Sequence, residues 1–283
     1  MRALALFAVL SAVAFAAPPP PPAPKKPKTP FPTDAECKSL GSVMSPIPFG
    51  PGETLEFDID ALGARAGTMT MQALPLRDGV LPLEVTVETN TFFSKVRRVK
   101  GTARSDLSPK TLRPSRYFEE ATEDEWHRIA DVRFGKNKVA KLQSTINGRV
   151  WNEELRYGND VSDVASAVHL LRSLPMKEGQ FMCFDVYGIR RIWRVWGKVM
   201  PKEHVSMPGV GEFESFHLAG EAARTDMPDA RREVHIWVSD DARRLPLAAL
   251  GMIDLGAVRA TLKAVSRPGE KSTRADNKAD IKW

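Results

Sequence analysis

Through most of the chain, apolar and polar positions alternate with a period of two. In Leu55-Glu56-Phe57-Asp58-Ile59-Asp60 each apolar residue is followed by an acid, which makes a strand with one buried face and one wet face. The same pattern returns in Thr68-Met69-Thr70-Met71, in Leu83-Glu84-Val85-Thr86-Val87-Glu88, and over 126–134, where Trp126, Arg128, Ala130, Val132 and Phe134 share a side. Further strands are expected over 180–187, 192–199, 212–218, 234–238, 245–250 and 257–265. One-sided alternation in so many segments predicts an antiparallel sheet, because parallel sheets covered on both faces read as continuous apolar runs. One helix interrupts the strands over 161–174, with Asp160 as N-cap, Pro175 as stop, and Val164, Ala167, Val168, Leu171 and Leu174 as an apolar stripe. The expected fold class is mainly β (α+β): a strongly curved antiparallel sheet or incomplete β-barrel, with one helix flanking or plugging its concave face.

The two ends read differently. Residues 1–16 carry one basic residue, Arg2, an apolar run from Ala3 to Phe15 and the small-x-small site Ala14-Phe15-Ala16, the pattern of a signal peptide cleaved before Ala17. The apolar run is shorter than the ~20 residues of a spanning helix, and no later uncharged stretch approaches that length, so no transmembrane span is expected after cleavage. Cys37 lies too far downstream, in Asp34-Ala35-Glu36-Cys37, to receive a lipid anchor. Residues 17–41 form a Pro/Lys-rich linker, with five consecutive prolines from Pro18 to Pro22 and then Lys25-Lys26-Pro27-Lys28, which favours an extended, solvated polyproline-II arm. A single β-rich domain follows over 42–267, and 268–283 is a polar C-terminal tail. The signal places the protein in the periplasm, with full secretion as the alternative.

Composition adds three points. The 283 residues are 42% hydrophobic and 27% charged, enough for a substantial core. The two cysteines, Cys37 and Cys183, are an even count in an oxidising compartment and predict one disulfide; closing a loop of 146 residues gives it a ceiling of about 5 kcal/mol. The net charge of +6 comes partly from Lys25, Lys26, Lys28 and the tail lysines, so the domain itself supports only weak attraction to anionic surfaces.

Catalytic signatures are absent. No Gly-x-Ser-x-Gly, no phosphate-binding glycine loop and no His-Glu-x-x-His occurs. His127, His169, His204, His217 and His235 are scattered singly, with no spacing that places two on one helical turn or on neighbouring strand positions, so each is expected to be a surface or structural residue; no metal and no cofactor is implied. The acids Glu119-Glu120 and Glu123-Asp124-Glu125 are expected to solvate a loop between strands. The basic, indole-rich stretch Arg190 to Lys198 is expected to be a hairpin edge, with one indole in the core and its arginines in water. Alternation puts Trp193 and Trp196 on opposite faces, which removes a stacking platform and, with the export signal, argues against nucleic acid. A partner for this stretch would be an anionic envelope polymer or lipid head group.

Three separated segments carry a family likeness. Gly52-Glu53-Thr54-Leu55-Glu56-Phe57 with Gly63-Ala64-Arg65-Ala66-Gly67, then Leu170-Leu171-Arg172-Ser173-Leu174-Pro175 leading to Gly179, and finally Ile236-Trp237-Val238-Ser239-Asp240-Asp241-Ala242-Arg243-Arg244-Leu245-Pro246 resemble domain-of-unknown-function family 3108. A glycine-rich hairpin at Pro208-Gly209-Val210-Gly211 fits as well, and the likeness spans about Gly52 to Val265. It implies an exported, β-rich domain and assigns no activity; the proline arm and Cys37 stand outside it. Within the last segment, Ser239 to Arg244 reads as a tight turn in which Ser and Asp side chains cap backbone amides, with Asp240, Asp241 and Arg243 as a catalytic or ligand constellation the alternative.

The first functional reading is an exported, non-catalytic carrier whose concave face, walled by Phe57, Met69, Met71 and Trp237, holds a lipid or other apolar envelope component, since thioethers and aromatics adapt to acyl chains. The second treats those residues as packed core of a structural module that binds an envelope protein. The third is an envelope hydrolase built on carboxylates that only the fold brings together.

Overall fold

The computed structural model of the protein describes residues 30–253, 256–270 and 272–274. The expected signal peptide, the proline run and most of the C-terminal tail lie outside the described residues. From Pro32 onward the chain forms one compact unit, and its 17 described strands belong to one sheet.

Eight strands form an antiparallel meander in which each pairs with the next: β1 (Thr54–Ala61), β2 (Ala64–Ala73), β3 (Leu81–Thr89), β4 (Val99–Leu107), β5 (Pro114–Glu123), β6 (Trp126–Phe134), β7 (Val139–Ile146) and β8 (Arg149–Arg156). The second half contains β9 (Val161–Asp163), helix α1 (Ala167–Arg172), β10 (Phe181–Gly188), β11 (Arg191–Val199), β12 (Glu203–Met207), β13 (Gly211–Arg224), β14 (Met227–Ser239), β15 (Pro246–Ile253), β16 (Gly256–Ser266) and β17 (Thr273–Arg274). Pairing of β16 with β1 splices the halves, so the sheet runs β9, β10, β11, β13, β14, β15, β16, β1 and on to β8. The long β13 takes both β11 and β12 along one edge, and β17 pairs with the end of β16. All pairings are antiparallel except β9 with β10, and the backbone ladder is open between β8 and β9.

Every strand expected from alternation is present, but β2, β13, β14 and β15 run three to seven residues past one expected end. β4, β5, β7, β8 and β12 did not announce themselves. The core-side positions of β4 and β5 are Gly101, Ala103, Ser105, Tyr117 and Glu119, small or polar residues that do not read as an apolar period. The acid run is corrected accordingly: Glu119, Glu120 and Glu123 lie within β5, only Asp124 and Glu125 form the turn, and Glu119 is buried.

The helix over 161–174 is also corrected. Residues 161–163 pair with β10 as a strand, and Asp160 accepts the Leu40 amide and the Arg113 guanidinium instead of capping a helix. The Asp163 carboxylate accepts the amides of Ala165 and Ser166, a tight turn that delays the helix to Ala167. Val164 consequently stands half out in solvent, whereas Leu170, Leu171 and Leu174 are buried as the stripe requires.

Leu170, Leu171 and Leu174 pack in one cluster with Leu83 of β3, Leu107 of β4, Phe184 of β10, Phe216 of β13 and Ile236 of β14, so strands far apart in the sheet share a core. The Cys37–Cys183 disulfide is formed, with Cα atoms 5.0 Å apart, and joins the chain ahead of the sheet to β10. The expectation of water-exposed arginines on β11 fails at Arg194. Its guanidinium is buried and donates to Asp185 (2.9 Å), to Asp34 (2.5 Å) and to the Pro32 carbonyl (2.8 Å), which seats residues 32–37 against β10 and β11. Trp196 is the indole in the core, and Trp193 is half-buried, donating to the Gly188 carbonyl.

Candidate functional site

Register across β2 to β8 sets the core-side face out in three cross-strand rows. The row furthest into the core is Ala73, Leu83, Ser105, Tyr117, Val132 and Leu142, all buried. The next is Met71, Val85, Ala103, Glu119, Ala130 and Ser144, buried except for the half-buried Val85 and Ala103. The third is Met69, Val87, Gly101, Ala121, Arg128 and Ile146, half-buried throughout. This face is thus filled on the side of α1 and opens in the other direction, where Gly101, Ala103 and Ala121 keep the wall low.

The middle of this face is polar. Tyr117 donates to Glu119 (2.7 Å), and Arg128 donates to its other oxygen (2.7 Å). Burial, reinforced by the Glu119 charge, drives the Tyr117 phenol far above its ordinary range, so it stays a donor. Its ring meets Tyr187 edge-on at 5.4 Å. Beside them Ser105 donates to the fully buried Asp163 (2.6 Å).

Burial raises the Asp163 carboxyl from 3.8 to about 6, against the opposing hydrogen bonds from Ser105 and Ser166. The folded chain therefore keeps a proton that the unfolded chain gives up near pH 4. Stability from this group is present below about pH 4 and declines as pH rises through about 6, by on the order of 2–3 kcal/mol. Asn in its place can accept the same amides without ionising. Denaturation of Asp163→Asn beside the parent should show the variant gaining stability relative to the parent between about pH 4 and 6.5; a pH-independent difference would mean that Asp163 is not the titrating group.

A second buried network joins the three segments of the family likeness. Arg172, the last residue of α1, is wholly buried and donates to Glu53 (2.5 Å) and to the carbonyls of Arg244 (2.8 Å) and Arg243 (2.7 Å). Arg267 donates to the other oxygen of Glu53 (2.7 Å) and to the Pro48 carbonyl (2.9 Å). Within the Ser239–Arg244 turn, Asp241 accepts from the Ser239 hydroxyl and the amides of Arg243 and Arg244, and pairs with the Arg243 guanidinium at 3.1 Å. Burial alone would raise the Asp241 carboxyl, but the Ser239 and Arg243 hydrogen bonds hold it below the usual range. Asp240 pairs with Lys202 (2.5 Å) and Arg244 (3.6 Å). His169, one turn before the end of α1, is fully buried; burial and the Arg172 charge hold it far below the usual histidine range, so it is neutral. Glu53 and Arg172 were the pair that sequence reasoning missed. Their presence inside two motif segments was the only signal.

Phe57, Met71 and Trp237 are brought together as buried members of one cluster with Leu55, Leu247 and Leu262; Met69 packs at its edge and is half-buried. The expectation of isolated histidines fails at β13 and β14. His217 stacks on Trp237 (4.3 Å between centroids), and its Nε2 lies 2.8 Å from His235 Nδ1. His217 and Trp237 both donate to Glu203, whose carboxyl these bonds hold below the usual range against the effect of burial; His235 faces Glu233 at 3.0 Å. The spacing of His217 and His235 in sequence, 18 residues, reveals nothing without the hairpin register that sets them side by side. Among the described residues no three His, Cys, Asp or Glu side chains converge as metal ligands. No described helix is long and apolar enough to cross a membrane.

These features define a mainly β protein built on one large open sheet with one short helix. The chain belongs to the DUF3108 family, described as proteins of unknown function, whose pattern matches residues 56–263. Among solved structures it is similar to a β-barrel-like protein of domain of unknown function DUF1849 from Brucella abortus, with a TM-score of 0.53 at 9% identity over 80% of this chain and 99% of that one. More distant are a hypothetical protein from Chlamydia trachomatis (TM-score 0.34, 9% identity, 81% and 93% covered) and a Bacteroides fragilis protein with a YmcC-like fold (0.31, 10%, 77% and 99%). The first likeness concerns fold alone. No curated protein matches the sequence.

Proposed function

We propose that the protein is an exported, non-catalytic periplasmic component that holds a lipid or other apolar ligand in the hollow of a strongly curved sheet. The observation that carries this reading is the gradient across the three rows: closed and apolar beside α1, half-open and lined by small or apolar side chains beyond it. Curvature is supported by side-chain bridges between the two halves of the sheet, Ser105 of β4 to Asp163 of β9 and Glu153 of β8 to Arg190 and Arg191. Export is supported by the disulfide, which persists in oxidising compartments. In this arrangement Met69 contacts the ligand, while Phe57, Met71 and Trp237 back the wall. Arg128, paired with Glu119, offers a polar contact at the floor of the hollow.

Native mass spectrometry of protein purified from the periplasm without detergent tests this reading. A lipid-sized adduct at fixed stoichiometry is expected, and Ala103→Phe or Met69→Glu should remove most of it while leaving the thermal midpoint within a few degrees of the parent. Bare protein throughout would overturn the ligand and favour a structural or protein-binding module, the reading suited to Phe57, Met71 and Trp237 as buried core.

A further inference from the structure

We infer that the hairpin tips at one end of the sheet form a docking face for an anionic lipid bilayer. The pairing scheme puts seven turns at the same end. β16 begins where β1 finishes, so the β15–β16 and β1–β2 turns lie together; antiparallel pairing then adds β3–β4, β5–β6 and β7–β8 on one side, and β13–β14 and β10–β11 on the other.

Five of these turns carry a large exposed apolar side chain on or directly beside the reversal. Leu62 stands on β1–β2, Phe92 on β3–β4, Trp126 on β5–β6, Ile189 on β10–β11 and Met227 on β13–β14, between 49% and 69% exposed. Val150, the second residue of β8, is exposed next to the β7–β8 turn. Single exposed apolar residues are ordinary; five at neighbouring tips of one end make a patterned surface. Leu62, Phe92 and Ile189 stand on the reversals beyond the ladder, and Trp126 and Met227 are the first residues of their strands, in the last pair of each ladder.

Charge selects the occupant. Arg65, Lys95, Arg97, Arg98, Arg149, Arg190, Arg191 and Arg224 stand at these tips against Asp60, Glu123, Asp124, Glu125 and Asp226. Several are paired, Arg97 with Glu123, Arg224 with Asp226, and Arg65, Arg190 and Arg191 with Asp58 and Glu153 further along the strands, and the cations at the tips remain in excess. Apolar tips that reach into the acyl boundary, ringed by cations at head-group depth, are the composition of a surface that lies on an anionic membrane. The half-open row of the core-side face belongs to the same end: Met69 precedes Ile59 and Ala61 in register toward the β1–β2 tip. The docking face does not depend on the ligand proposed above; with it, the hollow would open toward the bilayer.

Flotation of the purified exported protein with vesicles of phosphatidylethanolamine and phosphatidylglycerol, beside vesicles of phosphatidylcholine alone, tests this face. The protein should float with the anionic vesicles and less at high salt. The triple variant Phe92→Asp, Trp126→Asp, Ile189→Asp keeps the same N-terminal residues and lies wholly at exposed positions; it should float roughly tenfold less with an unchanged circular dichroism melt. Equal flotation of parent and variant, or no flotation of the parent, overturns the proposal. So does gel filtration in which the parent is a dimer and the variant a monomer, because the tips would then join two copies. A variant that loses flotation but keeps its adduct separates this face from the hollow, and failure of the adduct alone leaves the face standing.

Discussion

Replacing Arg172 by methionine should lower the unfolding free energy by about 3–5 kcal/mol, the range for breaking a buried ion pair from one side. The substitution removes donors from three acceptors at once: Glu53 and the carbonyls of Arg243 and Arg244. Arg267 still reaches Glu53, so the carboxylate keeps one cation, but neither carbonyl keeps its Arg172 bond. Because the three acceptors belong to the approach to β1 and the β14–β15 turn, the damage should spread beyond α1. Urea denaturation followed by circular dichroism measures it, and the slope should stay near the parent's if the native state is otherwise intact. Lysine at 172 should restore only part of the loss, since an ammonium cannot serve Glu53 and two carbonyls with one planar fork. A loss under about 1 kcal/mol for the methionine variant would show that the network contributes no more than a surface pair.

Removal of the disulfide has the second large expected effect. Cys37→Ala with Cys183→Ala should destabilise by about 2–5 kcal/mol, with the upper value set by the entropy of closing a 146-residue loop. The loss should fall short of that ceiling because Arg194 still holds Pro32 and Asp34. Hydrogen exchange distinguishes the local effect from the global one. Amides near Cys37 should lose protection first, while β13 and β14 exchange only with global unfolding. If reduced and oxidised protein melt together, the bridge is neutral and the Arg194 contacts alone seat this segment.

These expectations rest on residues that were unequally legible. Strands with aliphatic residues on one face and acids or hydroxyls on the other, such as 55–60 and 83–88, can be read because burial and exposure alternate with the side chains. β4 and β5 could not be read that way, because their core-side positions hold Gly101, Ala103, Ser105 and Glu119. A carboxylate such as Glu119 looks solvated until Tyr117 and Arg128 are seen beside it. The stripe over 161–174 placed Leu170, Leu171 and Leu174 in the core, yet its first third became a strand and a turn once β10 supplied backbone partners to Val161 and Asp163. Local propensity lost to tertiary hydrogen bonding at that point.

By itself, then, the sequence determined the class of fold, most strands, the pairing of two cysteines and the family. All of these follow from side-chain periodicity, residue count or local motif. Only the tertiary structure decided that Glu53, Arg172 and the Ser239–Arg244 turn meet, that His217 lies against His235, and that five apolar tips share one end. Those relations depend on strand order and register, which bring together residues as distant as Glu53 and Arg172, 119 positions apart, and no local pattern encodes a distance of that kind.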